Sequence, residues 1–139
     1  MFEWLEREIE SLHTPKFHII GGPLTEQQRT LVEGSELAVP LSYKNFVIHF
    51  GHAQLYRQGN IYLVQVFSVP QDAESAQGEP LLNFGRTDLG HAYFKMSLLV
   101  KDSETPVFEW TGRGTGLRRT ANGFEEWLHK KCSAAKRLF

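Results

Sequence analysis

The 139-residue chain has a single cysteine, Cys132. One thiol excludes an internal disulfide and any zinc site built from four cysteines, and it fits a reducing compartment. Cys132 reads as a packing residue on a helix flank, not as a nucleophile. Long hydrophobic runs are missing, since no apolar stretch approaches the roughly 18 residues of a membrane span. A basic start and an apolar leader are missing too. Glu3, Glu6, Glu8 and Glu10 stand where a signal peptide would need them. The expected location is therefore cytoplasmic, with no membrane partner. Charge of one sign is also scarce: 15 Lys/Arg against 16 Asp/Glu leave a net charge of −1. That balance carries no global nucleic-acid signature. Internal repeats, low-complexity tracts and linkers are absent, so one domain spanning residues 1–139 is expected.

Catalytic patterns are equally sparse. Neither a Gly-x-Ser-x-Gly elbow nor a His-Glu-x-x-His helix occurs. Gly112-Arg113-Gly114-Thr115-Gly116 lacks the Lys-Ser/Thr ending of a phosphate loop and reads as a turn. His49 and His52 stand three apart, placed on one face of the helix that begins near Tyr43. Without cysteine or an adjacent carboxylate they make a poor metal site. Asp88 and His91 could form a general acid/base pair, but a turn residue and a solvent-facing histidine explain them as well. The expectation is no catalytic residue, no metal and no cofactor.

Apolar residues make up 41% of the chain, with ten Phe and three Trp, enough for a packed core. Trp4, Trp110 and Trp127 read as core or sheet–helix packing. Charge is unevenly spread. Residues 1–109 carry 8 Lys/Arg against 14 Asp/Glu, and residues 110–139 carry 7 against 2. A basic tail that folds back on an acidic body, or simply a solvated helix end, is expected, and a basic patch facing an acidic or nucleic-acid partner is the alternative.

Phe2, Leu5, Ile9 and Leu12 step by three and four, predicting a helix from about residue 2 to 12 that stops before Pro15. Phe17–Ile20 is a short extended candidate. Thr25 and Gln28 form a capping box opening a second helix, with Leu31, Val32 and Leu37 as its apolar side and Gly34 weakening its end. Pro40 precedes a third helix with Tyr43, Phe46, Val47 and Phe50 on one face and Gly51 at its end. Ile61–Val69 is apolar on both sides and reads as a central strand. Residues 70–80 read as a surface loop, and Leu81–Gly85 as a short strand. His91–Val100 alternates Ala92, Phe94, Met96 and Leu98 against His91, Tyr93, Lys95 and Ser97. The polar run 101–106 turns the chain into a second hairpin strand, Val107–Trp110. Asn122 and Glu125 suit a capping box for a last helix whose face is Phe124, Trp127 and Leu128. Helices segregated from a run of strands predict an α+β fold: N-terminal helices, a mostly antiparallel sheet and a C-terminal helix packed on it.

Three segments, in this order, resemble the SUKH superfamily, which includes a yeast cell-wall-synthesis regulator and many bacterial immunity proteins. They are Val39-Pro40-Leu41-Ser42-Tyr43-Lys44-Asn45-Phe46; Tyr93-Phe94 with the acidic turn 102–105 and Pro106-Val107-Phe108; and Asn122-Gly123-Phe124-Glu125-Glu126-Trp127-Leu128. The resemblance covers residues 25–130. It departs after the proline-led helix, where the family usually carries asparagine-glycine and this chain reads His49-Phe50-Gly51-His52. It implies a non-catalytic α+β domain that binds and neutralises a cognate protein toxin, often a nuclease. The family supplies no binding motif to carry over by residue.

Candidate contacts therefore come from residue type alone: Tyr56, Arg57, Arg86, Asp88, Tyr93, Glu109, Arg113, Arg118 and Arg119, read as exposed residues of loops and the wet sheet face. The alternatives are a nucleic-acid or phosphate-ligand module using the basic C-terminal third, and a small enzyme using Asp88, His91 or the two helix histidines. Nucleic acid is not the expected partner.

Overall fold

The computed structural model describes residues 2–11, 17–33, 38–110 and 116–138. Its elements run α1 (Glu3–Ser11), β1 (Ile19–Ile20), α2 (Glu26–Glu33), α3 (Leu41–Phe50), β2 (Ala53–Gln58), β3 (Ile61–Glu74), β4 (Pro80–Thr87), β5 (Gly90–Lys95), a 3₁₀ turn (Met96–Leu98), β6 (Val107–Trp110), β7 (Arg118–Ala121) and α4 (Phe124–Lys136). The seven strands form one sheet in sequence order, every neighbouring pair antiparallel. The fold is α+β, with α4 packed on the sheet.

Local chemistry sets the helix boundaries. In α2 the capping box forms as the spacing predicts. Thr25 Oγ1 accepts the Gln28 N–H at 3.2 Å, and Gln28 Oε1 accepts the Thr25 N–H at 3.0 Å. Helix α3 starts after Pro40, which has no side chain able to cap it. Glu104 does so from sixty-two residues away: its carboxylate accepts the Ser42 N–H at 3.1 Å and the Ser42 hydroxyl. Gly51 ends α3 at φ 64° and returns its N–H to Val47 O. At α4 the expected box shifts by one residue. Gly123 is the N-cap, and Glu126, not Glu125, accepts the Asn122 N–H.

The core is strongly aromatic. Tyr43, Phe46, Phe84, Phe94, Phe124 and Trp127 are all at most 2% exposed. Their rings meet mostly edge to face, as Phe84 does with Trp127 at 4.9 Å, the arrangement ring quadrupoles favour. Ala53, Leu55, Val64, Val66, Leu82, Ala92, Val107 and Ala121 supply the sheet's side of this core.

Several boundaries differ from the sequence reading. Strand β3 continues to Glu74, through residues read as a loop. Pro70 is accommodated because it falls in the register irregularity between Val66 and Gln71, where the ladder needs no donor. The strand from His91 ends at Lys95, and Met96–Leu98 turns as a 3₁₀ helix. Strands β2 and β7 are additional to those predicted. His52 lies beyond Gly51, outside α3, with its ring stacked on Phe67. Gly34, Leu37 and the glycines at 112 and 114 lie outside the described residues.

The basic C-terminus does fold back on the acidic body. Lys136 pairs with Glu8 at 2.6 Å and Lys131 with Glu109 at 3.0 Å.

Candidate binding surface

Side chains alternate across a strand, so the face opposite the aromatic core follows from the register. Partners directly across the ladder share a face. Gln65 pairs with Arg86, Arg86 with His91, and His91 with Trp110. A second row runs from Asn83 through Tyr93 and Phe108 to Arg119. The face away from the helices thus presents two rows of aromatic, arginine and amide side chains over β3–β7.

Part of this face is covered. Leu81 and Tyr93 are only 1% and 8% exposed although they point away from the core. The reason is the β3–β4 hairpin, whose irregularities at 66–71 and 83–85 bend it over the sheet. A pocket of ≈ 200 Å³ results, between its Glu74–Ala76 turn and Trp110 with Leu117, over Leu81 and Tyr93. The amide of Asn83 fixes the second bulge by donating to Gly85 O and Ala92 O, both at 2.8 Å. Gly85 is required there, because a Cβ would run into the Gln65 carbonyl oxygen.

Arg86, His91 and Trp110 remain exposed at the open end of the first row. Arg86 makes no ion pair among the described residues. Arg119 donates to Asn122 Oδ1 at 2.5 Å but meets no carboxylate within ion-pair distance among them. Lys95 is engaged: it pairs with Glu79 at 3.1 Å and lies 4.5 Å above the Phe108 ring. Burial and the neighbouring Arg86 both hold the His91 pKa below its ordinary value. Burial raises that of Tyr93.

The residues singled out from the sequence separate into groups. Arg86, Tyr93 and Arg119 come together on the open face. Asp88 is exposed in the β4–β5 turn, and Arg57 at the end of β2, its Nε donating to Gly59 O at 3.1 Å. Arg118 is exposed at the start of β7 and shares the helix-side face with Glu109. The meander brings Arg57, Asp88 and Arg118 to one end of the sheet. Arg113 lies outside the described residues. Three residues expected to be exposed are not: Tyr93, 8% exposed beneath the β3–β4 hairpin, Glu109 and Tyr56. Glu109 is 9% exposed, turned under α4, where it accepts the Trp127 indole N–H at 3.0 Å. Tyr56 is 0% exposed. It holds φ 59°, so its N–H leaves the ladder and donates to His18 Nδ1 at 3.2 Å. The chain's alternation inverts there, which strand periodicity does not anticipate.

Conversely, Trp110 was read as a packing residue and is 41% exposed. Phe108 and Trp110 stand two apart in β6, and that spacing was the available signal for a shared outward face.

The titratable groups considered for chemistry are dispersed. His49 is exposed at the end of α3 and His52 lies beyond it. Burial pushes the Cys132 thiol well above its ordinary pKa, the reverse of nucleophile activation. A larger cavity of ≈ 600 Å³ lies on the helix side, lined by Glu6, Glu10, His18 and His49 with Ile9, Ile20 and Phe50. Among the described residues no group of three His, Cys, Asp or Glu side chains is arranged to hold a metal ion. No helix among them is long and apolar enough to cross a membrane. No protein-family model matches the chain, and no curated protein matches it.

Proposed function

We propose that the chain is a non-catalytic protein-binding domain whose contact surface is the open sheet face around Arg86, His91 and Trp110. One observation carries this reading. On a rigid sheet, an exposed tryptophan, a histidine and an unpaired arginine stand side by side, next to a pocket. Tryptophan, tyrosine and arginine are the residue types that dominate binding energy at protein interfaces. The resemblance to the SUKH superfamily gives the surface a biological role: neutralising a cognate protein toxin by binding it, in the cytoplasm of a bacterium.

The test is a pull-down from native extract with two baits, the wild-type domain and Arg86→Glu/Trp110→Ala. One stoichiometric protein partner at moderate salt, captured by the wild type and lost by the variant, is the expected result. Equal capture by both baits would overturn the assignment of the face. Recovery of nucleic acid, released as salt rises, would favour the nucleic-acid reading.

A further inference from the structure

We infer that the segment docking on this face is an acidic polypeptide, its carboxylates bound by Arg86 and Arg119 with an apolar side chain on Trp110. The inference rests on the binding reading above and supplies the chemistry of the partner.

Charge complementarity commits the occupant. Arg86 and Arg119 both lie on the open face and both are exposed; Arg86 makes no ion pair among the described residues, and Arg119 donates to Asn122 Oδ1 and helps lower the pKa of the Glu126 carboxylate without an ion pair to it. Lys95, one row further along the same face, is already paired with Glu79. A guanidinium presents a planar fork of donors that matches a carboxylate with two parallel bonds. Arg86 is on β4 in the first row and Arg119 on β7 in the second, three strand spacings across and two residues along, or roughly 16 Å between backbone positions. An extended chain rises about 3.3 Å per residue, so carboxylates four residues apart on a strand crossing the sheet would meet both. Trp110 stands between the two arginines on β6 and offers the apolar contact.

The same surface disfavours a nucleic-acid strand, which needs uncovered ring faces and a continuous cationic track. Tyr93 is 8% exposed, and Lys95 lies over Phe108. Trp110 is 41% exposed.

The experiment is an NMR titration of the full chain with three probes. One is a soluble ten-residue peptide with Asp or Glu at alternate positions and a central leucine. The second carries Asn or Gln in place of the acids. The third is a ten-nucleotide oligothymidylate. The acidic peptide is expected to shift the Arg86, His91, Trp110 and Arg119 resonances, and the amide peptide to bind at least tenfold more weakly. Arg86→Gln/Arg119→Gln, checked for an unchanged spectrum elsewhere, is expected to weaken the acidic peptide to the same degree. Shifts confined to the lysines of α4, or no binding, would overturn the acidic-segment inference. The pull-down comparison would still decide the binding reading on its own. Tighter binding of the oligothymidylate at these four residues would overturn it in favour of nucleic acid.

Discussion

Glu109 and Trp127 hold the sheet and the last helix together through a bond from the Trp127 indole N–H to Glu109 Oε1, at 3.0 Å in the buried interior. The second carboxylate oxygen pairs with Lys131, one helical turn on. Replacing Glu109 by alanine leaves the indole N–H without its acceptor in a residue with 0% exposure. A loss of about 2 kcal/mol is expected, the cost of a buried unsatisfied donor. Glu109→Gln keeps an acceptor and should lose less than half as much. Urea unfolding of the two variants checks the order.

Gly85 pairs with Val66 between β4 and β3. Gly85→Ala drives a methyl group into the Gln65 carbonyl oxygen, and backbone cannot swing aside as a side chain would. About 2 to 3 kcal/mol of destabilisation is expected, the scale of an overpacked core. The change would also disturb the bulge set by Asn83, and with it the pocket beneath Trp110. Denaturant midpoints and the Trp110 indole resonance report the two effects separately.

Glu104 caps α3 through Ser42, sixty-two residues earlier. Glu104→Ala removes the acceptor for the Ser42 N–H and hydroxyl and the carboxylate at the α3 N-terminus. Stability should fall by about 1 kcal/mol, the usual worth of a cap. Hydrogen exchange should quicken first at the start of α3, which distinguishes a lost cap from a general loss of packing.

His18 ties stability to pH. It is 1% exposed, its Nδ1 accepts the Tyr56 N–H, and its Nε2 has no partner among the described residues. Burial lowers its pKa, and the Glu8 carboxylate opposes the shift without reversing it. The folded state therefore disfavours the proton that the unfolded chain takes up near pH 6.5. Its contribution is complete above that value and is lost as pH falls toward the depressed folded pKa. Urea midpoints should fall from pH 7 to pH 5, and His18→Gln should flatten the slope over that interval. An equal slope in the variant would assign the effect to other groups.

Helices were the legible part of this chain. Thr25 with Gln28, and Gly51 after a Tyr43–Phe46–Val47–Phe50 face, encode their boundaries in neighbouring residues. The strands that escaped reading did so for physical reasons. In β2, Tyr56 sits at positive φ and inverts the alternation, so Ala53–Gln58 shows no clean period of two. β7 is an edge strand, Arg-Arg-Thr-Ala, of which only Ala121 is buried. Polar edge strands look like loops because one side of their backbone faces water. The candidate surface was legible in part. Arg86, Tyr93 and Arg119 were identified by residue type, but assembling them needs the pairing of four strands. Tyr56 and Glu109 were candidates on the same reading of exposed polar and aromatic residues, and only the structure shows them turned inward.

Hydroxyl-radical footprinting of the domain with its captured protein partner tests the central claim most directly. In the free domain Trp110 and His91 should react readily, and Trp127, with 0% exposure, should not. In the complex, protection is predicted at Trp110, His91 and Phe108, with His49 on the helix side unchanged. Undiminished reactivity of Trp110, with protection moved to His49 and α1, would contradict the assignment of the open sheet face.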